Sequence, residues 1–346
     1  MLQLEGQHSG QAKMFDGAQP LFVFGVIADV QYANVENGCN YLKTRRRYYR
    51  NSVTLLHDAV ERWNGIAPHF IVQLGDLIDG LNKKHNFSAK ALEIVMKEFQ
   101  RCKTKIHHVW GNHEFYNFTR EYLMSSILNS KALESALDDI SLNTEDHAAE
   151  AAIYSYHFSP APSFRFVLLD AYDLSVLGRK APSKKYNQSL KILQDKNKNQ
   201  NLNCPPEGQC GTEQRFVQFN GGFSKEQLSW LDKILTYADK NLEKVTIISH
   251  LPVHPDSTDP ICLAWNYEEM LSVLHSHKSV VCFMAGHDHD GGYHMDHRGI
   301  HHVTMEGVIE TPPDTNAFAT VYVHQDGMIL KGVGRVSDRI MLYPST

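Results

Sequence analysis

Five short segments of the sequence carry side chains of the types that bind divalent metal ions. Among their side chains are two candidate metal-binding carboxylates (Asp29 and Asp76), two amides (Gln31 and Asn112) and four histidines. Carboxylate oxygens suit hard cations and imidazole favours later metals, so this mixed set suits a pair of ions such as Mn²⁺. The segments are Asp29-Val30-Gln31, Gly75-Asp76-Leu77-Ile78-Asp79, Gly111-Asn112-His113-Glu114, Ser249-His250-Leu251-Pro252 and Gly286-His287-Asp288-His289.

Each of these segments follows a short apolar run rich in β-branched residues, which is typical of a buried strand that ends in a loop. The first three are separated by amphipathic patterns that predict helices over 45–63 and 88–101. The corresponding strands are predicted at 21–28, 69–74 and 106–110. This βαβαβ order favours a parallel core sheet whose strand ends bring the polar segments together.

The rest of the chain continues as strands and helices. Ser224 and Gln227 form a capping-box pattern that marks the start of a helix. Further elements are predicted at 245–248 (strand), 267–275 (helix) and 279–285 (strand), followed by antiparallel strands at 301–305, 317–324 and 328–333. Asp326-Gly327 is typical of the hairpin turn between the last two strands.

Two regions interrupt this rhythm and are predicted to be insertions in a single domain spanning residues 1–346. Residues 115–150 are mostly polar and helical in pattern. Residues 180–222 are rich in Lys, Asn and Gln and predict a long excursion with little regular structure. Long loops of this kind often cover functional sites, so we expect these insertions to form a cap.

Composition limits the classes of function. The formal net charge of −5 gives no overall basic field, which argues against nucleic acid as a partner. No window approaches the roughly 20 apolar residues of a membrane helix, and the first twenty residues show no signal-peptide pattern. Six scattered cysteines in 346 residues predict no disulfide framework and favour the cytoplasm. Protein partners are not predicted.

The five segments resemble the calcineurin-like metallophosphoesterase superfamily, whose pattern is D-x-H, G-D-x-x-D, G-N-H-[DE], a later His, and G-H-x-H. The match runs from Asp29 to His289 in the family's order. This resemblance implies an α/β fold of the metallophosphoesterase β-sandwich type, in which helices flank two mixed sheets with a βαβαβ core.

The resemblance also implies a role for each residue. One metal site would consist of Asp29, Gln31 and His289, and the other of Asn112, His250 and His287, with Asp76 bridging the two ions. His113 would stabilise the transition state and donate a proton to the leaving group. Asp79 would orient the His113 ring, although a plainer role as a loop or helix cap is open to it.

Gln31 departs from the pattern, because most members carry a histidine at this position. An amide oxygen is a harder and weaker donor than imidazole and should favour Mn²⁺ or Mg²⁺ over Fe²⁺ or Zn²⁺, which remain possible in one of the sites. The D-x-Q variant and the run from Met305 to Thr311 resemble the manganese-dependent ADP-ribose/CDP-alcohol diphosphatases.

That subgroup resemblance implies a hydrolase acting on small nucleoside diphosphate derivatives. A dinuclear, metal-bound hydroxide would attack one phosphorus of P–O–P, so that ADP-ribose gives AMP and ribose 5-phosphate and CDP-choline gives CMP and phosphocholine. The alternatives are a cyclic-nucleotide phosphodiesterase or another phosphoesterase of the superfamily. A non-enzymatic scaffold is disfavoured because every ligand position holds a competent donor.

Candidate substrate contacts are Arg45, Arg47 and Cys262. Arginines at 45–47 could clamp phosphate groups, or they could form a solvated helix face. Five more histidines fit no unfilled ligand position of the pattern, and packing or surface roles are predicted for them: His254, His294, His297, His301 and His302.

Overall fold

The computed structural model describes residues 18–40, 43–133 and 152–344. Its strands are β1 (Phe22–Ile27), β2 (Gly38–Cys39), β3 (Arg46–Arg47), β4 (Phe70–Gln73), β5 (Lys105–His108), β6 (Tyr156–Ala161), β7 (Phe164–Leu168), β8 (Lys244–Ile248), β9 (Val280–Ala285), β10 (Gly292–Met295), β11 (His301–Thr304), β12 (Ala317–Val323), β13 (Gly327–Gly334) and β14 (Arg339–Leu342). Its α-helices are α1 (Ser52–Ile66), α2 (Leu81–Lys84), α3 (Ser88–Gln100), α4 (Asn112–Asn117), α5 (Arg120–Ser125), α6 (Lys184–Lys196), α7 (Lys225–Lys240) and α8 (Tyr267–His275).

The first sheet has six strands in the order β14-β13-β12-β1-β4-β5. β1, β4 and β5 are parallel, and α1 and α3 make the connections between them. β12 pairs antiparallel with β1 and is followed by the antiparallel β13 and β14. The βαβαβ core and the late hairpin are therefore present as predicted.

The second sheet also has six strands, in the order β10-β11-β9-β8-β7-β6. β7, β8, β9 and β11 are parallel to one another, and antiparallel strands form both edges. The prediction that 301–305 belongs to the antiparallel tail was wrong, because β11 pairs with β9 in this sheet. The β6–β7 hairpin has no counterpart among the predicted strands.

The two sheets pack face to face through aromatic side chains. Phe24 and Phe70 lie on adjacent strands of the first sheet with their rings stacked 5.2 Å apart. Both contact Phe166 of the second sheet edge to face, at 5.2 and 5.0 Å between centroids. Such pairs add packing energy of about 0.5–1.5 kcal/mol beyond burial of their area. They hold the two sheets in a fixed relation.

Helix α1 covers the outer face of the first sheet through Trp63. A Cβ at Gly25 would lie 2.6 Å from the Trp63 ring, so the strand needs glycine at this close approach. The helix begins at Ser52 and not at 45, because Arg46–Arg47 pairs with Gly38–Cys39 in a two-stranded ribbon. The predicted alternative of a solvated helix face for these arginines was therefore wrong.

The two predicted insertions have different outcomes. In 115–150 the described part ends at 133 and is helical, with α4, α5 and a 3₁₀ turn at Ser130–Leu133, while 134–150 lies outside the described residues. In 180–222 the prediction of little regular structure was wrong, because α6 forms there with Ser183 as its N-cap. Leu193 of α6 packs with Phe216 and Trp265 in a small separate cluster.

None of the helices within the described ranges has the length and apolar content that crossing a membrane requires.

Candidate metal centre

The five predicted segments meet where the parallel strands of both sheets end. They follow β1, β4, β5, β8 and β9, and backbone hydrogen bonds join them in pairs. The Asp29 and Gln31 amides donate to the carbonyls of Gly75 and Asp76 at 3.1 and 2.8 Å. The amide of Gly286 donates to His250 O at 3.0 Å, and the amide of His287 donates to Asp29 Oδ2 at 3.0 Å.

Four residues of this centre have backbone conformations that side chains other than glycine rarely adopt. Their φ angles are +53° at Asp29, +41° at Gln31, +59° at Asp76 and +71° at His287. Each such residue costs on the order of 1–3 kcal/mol and persists only where the surroundings impose it. At each of these residues the left-handed conformation turns the backbone so that the side chain faces the common pocket.

Asp76, His250 and His287 lie close enough to bind one cation together. His250 Nε2 is 3.4 Å from Asp76 Oδ2 and 3.2 Å from His287 Nδ1. All three are at least largely buried, so water cannot satisfy them freely. Three donor atoms converging at this spacing fit a metal ion.

The ring nitrogens facing away from the pocket all have hydrogen-bond acceptors. His250 Nδ1 lies 2.7 Å from the Leu74 carbonyl, and His287 Nε2 lies 2.8 Å from Asn220 Oδ1. Because these partners only accept, the hydrogen of the neutral ring is on that nitrogen, and the other nitrogen is the one that can bind a cation. Partners of this kind fix a histidine for metal binding.

The same arrangement recurs at His289. Its Nδ1 lies 2.9 Å from Glu310 Oε1, which leaves Nε2 for a ligand, 3.4 Å from Asp29 Oδ1. Asp29 Oδ1 and Gln31 Oε1 are buried without a hydrogen-bond partner in the described structure. Buried oxygens of this kind are costly unless something binds them, and a cation would do so.

The Gln31 amide presents its nitrogen to the neighbouring ligands. Nε2 lies 3.2 Å from Asp76 Oδ2 and 2.9 Å from His289 Nε2. A glutamine that ligates a cation must present its oxygen, so ligation at this point requires the amide to rotate by about 180°. The orphaned Oε1 is the atom that would gain from this rotation.

Asn112 and Glu114 follow β5 in the turn that starts α4. Asn112 Oδ1 accepts the Tyr172 hydroxyl at 3.1 Å and retains a second lone pair. Glu114 accepts three backbone amides, from Gly111, Asp76 and Leu77, at 2.7–2.8 Å. This carboxylate therefore joins the loop after β4 to the loop after β5.

Asp76 and His250 form a buried pair of opposite charges. Burial raises the pKa of Asp76, but the charges of His250 and His113 outweigh this effect and hold its pKa well below the usual range. Burial lowers the pKa of His250, and the charge of Asp76 outweighs it and raises that pKa to about 9. Without a metal ion, His250 is therefore protonated and paired with Asp76, and a cation that binds both residues takes the place of the proton on Nε2.

His113 lies beside this cluster, with its backbone amide bonded to Asp76 Oδ1 at 2.8 Å. The amide of Gly80 donates to His113 Nδ1 at 2.9 Å, so Nε2 carries the hydrogen of the neutral ring. Asp79 Oδ2 is 3.4 Å from Nδ1, and Asp79 Oδ1 caps the amide of Leu81 at 2.8 Å. Asp79 therefore caps the following turn and also lies beside the His113 ring, whose neutral state is fixed by Gly80.

The three candidate substrate contacts lie in different surroundings. Arg47 is mostly buried and contacts Glu310 Oε1 at 3.1 Å and Asp79 Oδ2 at 3.9 Å, which places it at the rim of the centre. Arg45 is exposed and pairs with Asp290 at 2.7 Å. Cys262 lies in the loop after His250, and burial raises the pKa of its thiol well above the usual value.

Three residues that support the centre were not identified from the sequence. Glu310 and Asn220 hold His289 and His287, and Tyr172 holds Asn112. Their partners are 21, 67 and 60 residues away along the chain. Glu310 lies within the run that carried the subgroup resemblance, which was the one available signal.

Comparison with known proteins agrees with this geometry. The family described as Calcineurin-like phosphoesterase matches residues 22–291. Proteins named manganese-dependent ADP-ribose/CDP-alcohol diphosphatase from Homo sapiens and Mus musculus are 57% and 56% identical over 330 residues, which is 95% of this chain and 94% and 95% of theirs. A dimetal phosphatase structure from Danio rerio aligns with a TM-score of 0.88 at 57% identity, covering 94% of this chain and 100% of that one. The chain belongs to the calcineurin-like phosphoesterase family.

Proposed function

We propose that this protein is a manganese-dependent diphosphatase that hydrolyses the P–O–P bond of ADP-ribose and of CDP-alcohols. The observation that carries the proposal is the similarity over about 95% of both chains to relatives named for this activity. The geometry of the centre supports the chemistry, since its donors suit two divalent cations. The products would be AMP with ribose 5-phosphate, and CMP with a phosphoalcohol.

The predicted ligands would divide between two ions. We assign Asp29, Gln31 and His289 to one ion, Asn112, His250 and His287 to the other, and Asp76 to both. The set fits because the histidine tautomers are fixed and because Asp29 Oδ1 and Gln31 Oε1 have no partner in the described structure. Divalent cations in such a centre polarise phosphoryl oxygens and lower the pKa of water. The preference for Mn²⁺, with Mg²⁺, Fe²⁺ or Zn²⁺ in one site, rests on the donor types.

His113 would act on the leaving group from outside the ligand set. In the neutral ring Nε2–H can donate a hydrogen bond to a phosphoryl or leaving oxygen. Transfer of a proton requires the ring to be protonated at both nitrogens, and the Gly80 amide then cannot remain a donor to Nδ1. Asp79 Oδ2 lies 3.4 Å from Nδ1 and has no hydrogen-bond partner among the described residues, so it is placed to accept from Nδ1–H in that state.

Arg47 is the better candidate of the two arginines for contact with substrate phosphate. It lies at the rim of the centre and uses Nε for Glu310, so its two terminal amino groups can contact oxygen atoms of a diphosphate. Arg45 would assist from the surface after leaving Asp290. Cys262 stays a weaker candidate, because a neutral thiol offers only a weak hydrogen bond.

We propose that the chain is one domain in which 180–222 is an insertion beside the centre. The last part of that segment supports this, because Asn220 binds His287 and the Phe219 carbonyl accepts the Tyr172 hydroxyl at 3.3 Å. Its placement would let it shape the pocket for the nucleoside.

The decisive assay is release of AMP from ADP-ribose, and of CMP from CDP-choline, by the purified protein with Mn²⁺. We expect hydrolysis of both and its loss on chelation. Turnover of cyclic nucleotides or of phosphomonoesters with no cleavage of diphosphates would instead favour another phosphoesterase of the superfamily. No hydrolysis of any of these esters would favour the scaffold alternative.

We also propose a cytoplasmic location and small-molecule partners in place of nucleic acid. The scattered cysteines and the net charge of −5 support these two points. Fractionation of cells and a binding assay with RNA and DNA would test them, and recovery in a secreted fraction or tight polyanion binding would contradict them.

A further inference from the structure

A second cluster of histidines lies outside the dinuclear centre, on the β10–β11 ribbon. His294 and His302 are directly paired across the two antiparallel strands, so both side chains are on the same face of the sheet. The ring of His254, from the loop after His250, packs over both. Its centroid is 4.4 Å from that of His294 and 4.6 Å from that of His302.

His302 shows that this cluster is more than packing. Its Nε2 lies 3.0 Å from Asp296 Oδ2, and a carboxylate only accepts, so Nε2 carries the hydrogen. Its Nδ1 therefore has a free lone pair, and this atom is buried without a hydrogen-bond partner in the described structure. A buried imidazole nitrogen left in this state is the arrangement of a metal ligand whose other nitrogen is held by a carboxylate.

Asp296 is built as the outer partner of such a site. Its Oδ1 accepts the amides of Arg298 and Ile300 at 2.8 and 3.0 Å, and its Oδ2 also lies 2.9 Å from His275 Nε2. Both oxygens are thus engaged, and the side chain is only 1% exposed. Asp296 fixes the ring of His302 and is not itself needed as a ligand.

We propose that His254, His294 and His302 form a third divalent-cation site, selective for Zn²⁺. Three imidazoles favour zinc over manganese. Asp256 lies 3.8 Å from His294 Nε2 and is largely exposed, so it can supply a fourth ligand at the mouth where the ion enters. The ligand atoms of His254, Asp256 and His294 lie close enough together to hold one ion, and His254 also belongs to a second such group with Asp296 and His302. The ion would be held first by His254, His294 and Asp256, and Nδ1 of His302 would complete its coordination.

The protonation states agree with this geometry. Burial lowers the pKa of His254 to about 4, with help from His302 and His294, so its ring is neutral at pH 7. His254 Nδ1 accepts the amide of Asp256 at 3.2 Å, which is a long hydrogen bond that a cation can replace. A bound ion would join the loop after His250 to β10 and β11.

That loop also contacts the dinuclear centre. Thr258 Oγ1 and the amide of Asp259 donate to Asp288 Oδ2 at 2.9 and 2.7 Å, and Asp288 lies between two of the proposed manganese ligands. Zinc in the histidine cluster would therefore brace a segment that borders the active site without taking part in the reaction.

The test is the zinc content of the full chain after dialysis against a buffered concentration of free Zn²⁺. We expect the His254→Gln/His294→Gln double variant to bind one zinc fewer per chain than the wild type. His297→Gln, which changes an exposed histidine of the adjacent turn, should keep the wild-type content. Equal zinc content in the double variant and the wild type would overturn the proposal.

Two further measurements keep the proposal falsifiable if the double variant does not fold. His294→Gln alone, on the edge strand β10, should weaken binding of the additional zinc at least tenfold, and unchanged binding would overturn the proposal. Crystals grown with Zn²⁺ should give an anomalous peak among the three histidines. Peaks confined to the dinuclear centre would also overturn it.

Discussion

At the scale of single residues, the centre is organised by partners that leave one nitrogen of each histidine available. The Leu74 carbonyl, the Asn220 amide oxygen and the Glu310 carboxylate each fix one ring. His113 differs from these three histidines, because its Nδ1 accepts a hydrogen bond from the backbone amide of Gly80 and its Nε2–H is left for substrate. The hydrogen-bond partner of each ring therefore determines whether its other nitrogen can bind a metal ion or can donate a hydrogen bond to substrate.

His113→Ala should leave the metals bound and should slow the hydrolysis of esters with poor leaving groups most. Proton donation matters more as the leaving oxygen becomes more basic, and general acid catalysis contributes about 10²–10⁴-fold. The measurement is kcat on a series of leaving groups of graded basicity, with metal content as a check. The matched control is His85→Ala, which changes an exposed histidine in the turn after α2. Equal losses along the series would argue against proton donation.

Glu310→Gln should weaken binding of the metal held by His289. The carboxylate accepts from His289 Nδ1 at 2.9 Å and is itself held by Arg47 at 3.1 Å, so the variant loosens the tautomer and the ring orientation. Loss of such a partner typically lowers metal affinity about 10–100-fold. Titration with Mn²⁺, followed by electron paramagnetic resonance of the free ion, measures this. Glu306→Gln is the control, and equal affinities in both variants would contradict the role of Glu310.

Gln31→His should shift metal preference toward later metals such as Zn²⁺. Imidazole is a softer donor than an amide oxygen. The buried Oε1 of Gln31 has no hydrogen-bond partner among the described residues, so the change breaks only the contacts of Nε2 with Asp76 and His289. Competition titrations between Mn²⁺ and Zn²⁺ on the two proteins would reveal the shift. A preference identical to that of the wild type would mean that Gln31 is not a ligand.

At the scale of elements, the insertion is tied to the core by a buried ionic network around Asp173. Asp173 Oδ1 binds Arg179 at 3.0 Å and also Lys185 of α6, while Oδ2 accepts the amide of Ser224 at 3.2 Å. This carboxylate, which is fully buried, joins the start of the insertion to the N-terminus of α7. The first part of the 180–222 insertion is therefore anchored through this one carboxylate.

Asp173→Asn should destabilise the protein and loosen the insertion. Removing one partner of a buried ion pair costs about 3–5 kcal/mol, because it leaves the other charge uncompensated. Urea denaturation gives the free energy of unfolding, and limited proteolysis within 197–215 gives the local effect. Asp195→Asn, on the exposed side of α6, should stay within about 0.5 kcal/mol of the wild type. A similar small change in Asp173→Asn would show that the network does not hold the insertion.

Elements with a strong local pattern could be predicted from the sequence, and those set by distant contacts could not. α8 has the predicted bounds because its apolar positions recur at helical spacing and it packs on one side. α1 was predicted to start too early, because the pairing of Arg46–Arg47 with Gly38–Cys39 has no local signal. β11 was assigned to the wrong sheet because a four-residue strand carries no sequence signal that identifies its neighbouring strand.

The same distinction between local patterns and distant contacts applies to the residues of the site. The five segments were identified because strand ends in parallel sheets converge, whatever the rest of the chain does. The hydrogen bond from Gly80 to His113 was not predicted, since a backbone amide leaves no trace in the sequence. The role of Asp79 in orienting His113 stays a prediction. His294 and His302 meet through the pairing of β10 with β11, and His254 reaches them from the loop after His250.

At the scale of the whole molecule, the centre joins the two sheets. Asp29, Gln31 and Asp76 belong to loops of the first sheet, and His250, His287 and His289 belong to loops of the second. The aromatic core fixes the distance between the sheets, but it does not offset the conformational strain of the left-handed backbone at four of these residues. Cations bound by ligands from both sheets would offset that strain and hold the two sheets together at this end.

Saturating Mn²⁺ should therefore raise the free energy of unfolding of the whole protein. A ligand at 100 times its dissociation constant adds about 2.7 kcal/mol per site when it binds only the folded state. Thermal and urea unfolding with Mn²⁺ and with a chelator measure the difference, which should grow with the logarithm of the metal concentration. Asp76→Asn, which removes the carboxylate shared by both proposed sites, should abolish most of the increase. Unfolding curves that coincide with and without manganese would contradict a centre that spans the two sheets, because ions bound by both must oppose their separation.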